Sequence, residues 1–230
     1  MRTVEARGEG ARVGWSWIGL GLVGSRGNVL SDAHERLPTD TDDGLLLIIS
    51  GPSGVGKTTI TRGVERSIAG SVFSVSCTTR PKTDADVEGV DYHFVDDETF
   101  ERMSREGEFL ESADVFGKKY ATPREWVDEQ LKRGRLVILE IDVEGAKQVK
   151  SKMPRAFGVF ILPPSEETLL QRLRDRKRES EAQIQKRFAE AQHEMHEAKA
   201  SGVYDVFIVN RELDRAIEEA VSAVRERRGR

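Results

Sequence analysis

Residues 45–59 read LLLIISGPSGVGKTT, an apolar run that passes directly into a glycine-rich turn. An apolar run without polar alternation is typical of a strand buried on both faces, as in a parallel sheet. The turn satisfies G-x-x-x-x-G-K-[ST] in full, the pattern whose backbone N–H groups and following helix hold nucleotide phosphates. The stretch therefore predicts a strand, a phosphate-binding turn and a helix, and with them a nucleoside triphosphate site.

Two side chains of this turn have specific predicted roles. Lys57 would bridge the β and γ phosphates, and Thr58 would offer its hydroxyl to Mg²⁺. A later run, 136–142 (LVILEID), ends in acids, so Asp142 is predicted to join Thr58 at the metal; an acid that merely faces solvent is the alternative. The predicted triphosphate-binding residues of the turn are Gly51, Pro52, Ser53, Gly54, Val55, Gly56, Lys57, Thr58 and Thr59.

From residue 44 onward, predicted strands and helices alternate along the chain. The strand-like runs are 45–50, 72–75, 136–141, 157–162 and 206–209, and the amphipathic stretches lie near 56–69, 123–133, 144–152, 165–175, 181–200 and 211–228. Alternation of this kind favours an α/β fold in which helices flank a parallel sheet. We predict a P-loop nucleotide-binding core made of 44–77, 123–164 and 191–229.

Two regions interrupt that alternation. Residues 78–122 are polar and aromatic and indicate a small inserted lobe, whereas residues 165–190 are rich in arginine and indicate a mobile lid that faces phosphates. Phosphoryl transfer spreads negative charge over the transferring oxygens, and arginines arriving as a site closes would neutralise it. A solvated helix face is the alternative for such a charge run.

Composition limits the classes of function. The formal net charge of −4 argues against a general nucleic-acid coat, and the mean hydropathy of −0.50 fits a soluble chain without a membrane span. The single cysteine, Cys77, has no partner for an internal disulfide, which favours a reducing cytoplasm. We therefore expect a cytoplasmic protein that acts on small molecules rather than on nucleic acid or membranes.

The first 43 residues lack a sustained helical or strand period and are predicted to be disordered. An apolar stretch at 13–23, preceded by arginines, resembles a signal peptide only loosely, because it is glycine-rich and Ser25-Arg26-Gly27 after it is not an Ala-x-Ala cleavage site. Alternatively, the true translation start lies near Val29 or Leu30, and the preceding residues are not part of the protein.

Several motifs taken together are similar to those of guanylate kinases, P-loop kinases of nucleoside monophosphates. The resemblance covers residues 44–229 and rests on 49–57 (ISGPSGVGK), 74–80 (SVSCTTR), 89–95 (GVDYHFV), 139–145 (LEIDVEG), 160–165 (FILPPS) and 208–210 (IVN). It implies transfer of the γ-phosphate of ATP to GMP, with Mg²⁺, in purine nucleotide metabolism. GMP and ATP would be the partners, and the choice between GMP and dGMP and the oligomeric state stay open.

The resemblance also implies a role for each matching residue. Arg80, Tyr92 and Tyr120 would hold the GMP phosphate, and Ser76, Glu111, Thr122 and Glu140 would read the guanine. Arg172, Arg176 and Arg187 would close over the phosphates with Lys57, and Asn210 would lie near the adenine of ATP. Guanine presents adjacent N1–H and N2–H₂ donors, so a carboxylate such as Glu111 suits it, whereas adenine would leave that carboxylate unpaired.

One loop departs from the family pattern. Thr83 stands where a second arginine is usual, Asp86 replaces a glutamate, and Lys82 is a point charge without the fork that grips phosphate. We therefore expect an active enzyme whose hold on the GMP phosphate is weaker than is usual for the family. A binding module without activity and a P-loop kinase for another acceptor are the two rival interpretations; the intact phosphate-binding turn and the guanine-reading set count against them.

Overall fold

A computed structural model describes residues 44–115, 117–175 and 180–229. The predicted disorder of 1–43 and the predicted lid residue Arg176 therefore lie outside the described residues. Within them, the strands are β1 (Leu45–Ser50), β2 (Ser71–Phe73), β3 (Cys77–Thr78), β4 (His93–Phe94), β5 (Phe109–Val115), β6 (Lys118–Pro123), β7 (Leu136–Glu140), β8 (Phe157–Leu162) and β9 (Val206–Val209). The helices are α1 (Lys57–Ser67), α2 (Asp97–Arg105), α3 (Arg124–Lys132), α4 (Val143–Lys152), α5 (Glu166–Asp175), α6 (Glu181–Ser201) and α7 (Leu213–Arg228).

The larger sheet has five strands in the order β2-β7-β1-β8-β9, and every neighbouring pair is parallel. Its central strand, β1, pairs with β7 on one side and β8 on the other, so that Leu47 lies opposite both Ile138 and Phe157. The predicted α/β fold with a parallel sheet is confirmed. Only the second strand differs noticeably, since it spans Ser71–Phe73 rather than 72–75.

Helices cover both faces of this sheet because the side chains of β1 alternate between two apolar layers. Leu46 and Ile48 belong to a core with residues of α4, α5 and α6, and Leu47 and Ile49 belong to a second core with α1 and α7. Ile48, Leu47 and Ile49 are fully buried. Burial on both faces explains why this strand carries a continuous rather than an alternating apolar pattern.

A second, four-stranded sheet has the order β4-β3-β6-β5 and is antiparallel at β3–β6 and β6–β5. Its own small core contains Cys77, Phe100, Met103, Phe109 and Ala121. Phe100 and Met103 come from α2, a helix absent from the predicted elements. Its start is set by Asp96, whose Oδ1 accepts from the Thr99 amide at 2.7 Å.

The carboxyl ends of the parallel strands meet at one edge of the large sheet. The phosphate-binding turn follows β1 there, Asp142 comes two residues after β7, and Asn210 comes directly after β9. In open α/β sheets this edge is where ligands bind. The fold therefore brings the predicted triphosphate and metal residues to one place. No helix of the described residues is long and apolar enough to cross a membrane.

Candidate active site

The phosphate-binding turn connects β1 to α1, which begins at Lys57. Gly56 adopts φ 94°, and a Cβ there would lie 2.8 Å from the Nδ2 of Asn210, so both conformation and space require glycine. The Nζ of Lys57 donates to the Gly51 carbonyl at 2.7 Å across the turn. The Lys57 ammonium therefore lies across the phosphate-binding turn, hydrogen-bonded to its first residue.

Two side chains hold the turn from outside. Asn210 is buried and donates its Nδ2 to the Val55 carbonyl at 2.7 Å, while its Oδ1 has no hydrogen-bond partner. Arg172, on α5, donates to the Asn210 carbonyl at 3.1 Å and to the Val55 carbonyl at 3.4 Å. The predicted ATP residue Asn210 thus contacts the turn directly and keeps one buried acceptor unused.

Arginines of α5 and α6 surround the turn. Arg187, on α6, donates to the Ser53 hydroxyl, and Arg172 reaches Val55 from α5. Arg174 instead pairs with Glu181 at 2.6 Å and joins the end of α5 to the start of α6. Arg172 and Arg187, of the three predicted lid arginines, therefore lie at the phosphate-binding turn.

Hard oxygen ligands lie beside the start of α1. The Thr58 hydroxyl donates to Oε1 of Glu140, the last residue of β7, at 2.7 Å. Asp142 caps α4 by accepting from the Gly145 amide at 2.7 Å through Oδ1. A hydroxyl beside the carboxylate of Glu140 matches the oxygen donors that Mg²⁺ prefers. Among the described residues no group of three or more His, Cys, Asp and Glu could hold a metal alone, so any ion here would need further ligands from phosphate or water.

Glu194 is an acid of this region that the sequence did not single out. It lies on α6, and burial raises the pKa of its carboxyl to about 7 while the positive charge of Lys57 opposes that rise. The negative charge of Asp142 raises the pKa further. A half-buried glutamate on a helix of mixed charge gives no sequence signal that would distinguish it from its solvated neighbours.

The residues predicted to hold the GMP phosphate lie in the second sheet and in the loops next to it: Tyr120 is on β6, Arg80 follows β3 and Tyr92 precedes β4. The rings of Tyr92 and Tyr120 meet edge to face with centroids 5.6 Å apart. The guanidinium of Arg80 lies 5.2 Å from the Tyr92 centroid and 5.3 Å from that of Phe94. Burial raises the pKa of the Tyr92 phenol, and the hydrogen bond to Asp86 raises the pKa of the Arg80 guanidinium. These three predicted residues do lie together.

A buried carboxylate and a hydroxyl form the other end of this sheet's site. The Thr122 hydroxyl donates to Oε1 of Glu111 at 2.6 Å, and both residues are buried. Burial raises the pKa of the Glu111 carboxyl, and the hydrogen bond from Thr122 opposes that shift. The pairing of β5 with β6 shifts register between Phe109 and Ser112, a local irregularity of the kind that redirects a side chain.

Strand alternation connects these two ends. Tyr120 and Thr122 are two residues apart on β6, so their side chains leave the same face of the sheet. Ser76 directly precedes β3 and accepts from the His93 amide through its carbonyl at 2.9 Å. Glu140 contacts the Thr58 hydroxyl, next to the phosphate-binding turn. Its predicted guanine contact stays a prediction.

Comparison with known proteins agrees with this geometry. The family model for guanylate kinase matches residues 44–227 of the chain. The chain belongs to the guanylate kinase family. Two guanylate kinases, from Symbiobacterium thermophilum and Coxiella burnetii, are 47% and 44% identical to it over 176 and 179 residues. These matches cover 76% and 78% of this chain and 82% and 85% of the two relatives.

A solved structure supports the same conclusion. The crystal structure of guanylate kinase from Anaplasma phagocytophilum superimposes with a TM-score of 0.63 at 30% identity, covering 84% of this chain and 90% of that one. The resemblance to the guanylate kinase family drawn from the motifs is therefore confirmed. The roles of individual residues in this chain rest on their geometry and are proposals.

Proposed function

We propose that this chain transfers the γ-phosphate of ATP to GMP, giving ADP and GDP. Membership of the guanylate kinase family supports the reaction, and the two relatives above carry the name guanylate kinase. The observation in this chain that carries the proposal is the buried Glu111–Thr122 pair. Thr122 shares strand β6 with Tyr120, whose ring meets that of Tyr92 beside Arg80. A buried acceptor group beside a phosphate-sized cluster of donors suits a guanine mononucleotide.

The base is selected by the carboxylate of Glu111. One of its oxygens takes the Thr122 hydroxyl at 2.6 Å, and the second oxygen keeps its lone pairs for the N1–H and N2–H₂ donors of guanine. Adenine lacks this donor pair and would leave a buried charge unpaired, which is costly. Ser76 and Glu140 are proposed to assist from the two sides. Since none of these contacts needs a ribose hydroxyl, dGMP is a candidate acceptor as well.

The acceptor phosphate would be held by Arg80 and by the hydroxyls of Tyr92 and Tyr120. The phenol pKa of Tyr92 is raised by burial, so the hydroxyl remains a hydrogen-bond donor at neutral pH. The Arg80 guanidinium is charged at neutral pH in any case, and its hydrogen bonds to Asp86 raise its pKa further. One cation with two hydroxyl donors is a compact binding set for a phosphate monoester.

ATP would occupy the phosphate-binding turn 51–58 with Thr59 beside it. Lys57 would exchange the Gly51 carbonyl for the β and γ phosphates, and Arg172 and Arg187 would bring positive charge to the transferring group. The unused Oδ1 of Asn210 is a buried acceptor suited to an amino group such as that of adenine. Arg176 is proposed to join them by the family resemblance alone.

Mg²⁺ is proposed to bind between Thr58 and Asp142, with Glu140 as an added neighbour. The contact between the Thr58 hydroxyl and the Glu140 carboxylate supports this assignment, because both groups carry the oxygen donors that Mg²⁺ prefers. When bound, the ion would neutralise charge on the β and γ phosphates. The protein's part is to present these oxygens at the first turn of α1 and to leave the remaining ligands to ATP.

The transfer step needs no protein base, because a GMP phosphate oxygen is already a competent nucleophile. It attacks the γ-phosphorus in line, the bond to the ADP oxygen breaks, and the cations of the turn and lid hold the charge. Water must be excluded to prevent hydrolysis of ATP, so we propose that lobe 78–122 and lid 165–190 close over both nucleotides. The reaction would serve purine nucleotide metabolism in the cytoplasm.

Product analysis tests this function. The enzyme is incubated with ATP, Mg²⁺ and GMP, and the nucleotides are separated; ADP and GDP should appear in equal amounts. Chelation of Mg²⁺ should stop both, and Lys57→Ala should lower kcat by about a thousandfold, the scale found when a main charge-stabilising group is removed. ADP formation without GDP, or GDP formation that persists under chelation, would contradict the proposal.

A further inference from the structure

The loop that departs from the family pattern has its own hydrogen-bond network. Oδ2 of Asp86 accepts from the Thr83 amide and from the Thr83 hydroxyl, both at 2.7 Å. The same carboxylate accepts two hydrogen bonds from Arg80, at 2.9 Å from Nη1 and 2.8 Å from Nη2. The Asp86 backbone amide donates to the Thr83 carbonyl at 3.1 Å, which closes the loop. Thr83 is therefore tied to Arg80 through a single carboxylate.

The donors left on Arg80 can be counted. A guanidinium has five N–H donors. Nη1 spends its two on Asp86 and on the Pro81 carbonyl at 3.1 Å, and Nη2 spends one on Asp86. Nε–H and the second Nη2–H receive no partner among the described residues, and they lie side by side on the remaining edge of the guanidinium. That edge is a two-donor fork of the kind that binds phosphate.

Two aromatic rings also pack against the Arg80 guanidinium. The group lies over the rings of Tyr92 and Phe94, at 5.2 and 5.3 Å from their centroids. The side chains of Arg80 and Asp86 are only 26% and 14% exposed, so the pair is partly shielded from solvent. A cation held in plane by rings and by one edge through a carboxylate has lost most of its rotamer freedom before any ligand binds.

We propose that Thr83 and Asp86 are positioning residues that hold Arg80 with its Nε–Nη2 edge presented to the phosphate of the acceptor nucleotide. The inference rests on the proposed function, since it assigns Arg80 to the acceptor phosphate. Thr83 thereby has a task of its own: it fixes the carboxylate that fixes the arginine. The ordering cost of Arg80 is met during folding rather than during binding, which favours affinity.

The test measures binding of GMP and of guanosine to the full chain by calorimetry, without turnover. Asp86→Asn should raise the Kd for GMP about tenfold, and Thr83→Val, which removes one hydrogen bond and keeps the shape, should raise it about threefold. Thr83→Ser keeps the hydroxyl and should restore the wild-type Kd. The Kd for guanosine, which has no phosphate, should stay the same in all variants. The matched control is Asp84→Asn, an exposed acid of the same loop, which should leave both values unchanged.

The outcomes separate the inference from the proposed function. If the wild type binds GMP but makes no GDP, the function fails, while the ratios of Kd values still decide the inference. An Asp86→Asn variant that binds GMP as tightly as the wild type, or more tightly, would overturn it, since the carboxylate would then compete with phosphate for Arg80. Equal losses for GMP and guanosine would also overturn it, because they indicate general damage to the lobe. If the Asp86→Asn variant does not fold, the Kd values of Thr83→Val for GMP and guanosine decide between the same outcomes.

Discussion

Replacing Glu111 with glutamine should lower kcat/KM for GMP about a hundredfold while leaving the fold intact. The carboxylate of Glu111 is buried, and one oxygen already accepts from Thr122 at 2.6 Å. Guanine would place two N–H donors on the other oxygen, and each hydrogen bond to a charged group contributes about 1.5–3 kcal/mol. Glutamine has no charge and one acceptor oxygen; with that oxygen facing guanine, its NH₂ group donates to the Thr122 hydroxyl and both hydrogen bonds to guanine lose their charged acceptor. The expected loss is about 3 kcal/mol, or roughly a hundredfold in kcat/KM for GMP.

The assay is steady-state GDP formation at saturating ATP, with thermal unfolding measured on the same samples. Burial raises the pKa of the Glu111 carboxyl, which means that the buried negative charge destabilises the folded state. The uncharged Glu111→Gln variant should therefore have an unfolding temperature at least as high as that of the wild type. Glu108→Gln is the matched control, because that carboxylate contacts Arg102 at 3.3 Å and is not part of the base pocket. A Glu111→Gln enzyme with kcat/KM for GMP within about threefold of the wild type would refute the role of this carboxylate.

Three other predictions concern the charged and buried groups around the site. Lys82→Ala should raise KM for GMP about threefold with kcat unchanged, because Lys82 lies 6.0 Å from the Phe94 centroid, near Arg80, and contributes only a point charge. Steady-state kinetics measures this. A KM in the usual range for the family that the substitution does not alter would contradict the expected weak binding of the GMP phosphate. The pKa of the Glu194 carboxyl is raised from 4.5 to about 7 in the folded state, so the folded form binds this proton more tightly than the unfolded form. As pH rises from 5 to 8, the wild type should therefore lose about 2 kcal/mol of unfolding free energy relative to Glu194→Gln. Denaturant unfolding at both pH values checks this, and the same difference in unfolding free energy between the two proteins at pH 5 and pH 8 would count against it. Burial raises the pKa of the Cys77 thiol to about 12, so alkylation at pH 8 should require unfolding, and rapid modification of the folded protein would show that the thiol is accessible.

Local sequence decided the parts of this structure that depend on local chemistry. The strand–turn–helix around 51–58 follows from an apolar run, glycines that permit unusual backbone angles, and a helix start, all within fifteen residues. The parallel order of the strands follows from their alternation with helices. The matching motifs led to the guanylate kinase family, which the family model and the relatives confirm.

Contacts between distant residues could not be read from the sequence. Thr58 and Glu140 are 82 positions apart, and nothing in either segment indicates that the hydroxyl would meet that carboxylate. Glu194 depends on how deeply α6 packs, which is a property of the assembled core. The Thr83–Asp86–Arg80 network is local in sequence but was not predicted. Comparison with the family motif shows that an arginine is absent at position 83, but it does not show that Thr83 forms a hydrogen bond with Asp86.

The central claim is tested most directly by an acceptor panel. ADP formation is followed with ATP and Mg²⁺ while GMP, dGMP, AMP, CMP and UMP are offered in turn at equal concentration. The account predicts turnover with GMP, with dGMP as the only other acceptor, because only guanine supplies the donor pair that a buried Glu111 carboxylate requires. Turnover with AMP at a comparable rate, or none with any of the five nucleotides, would contradict it.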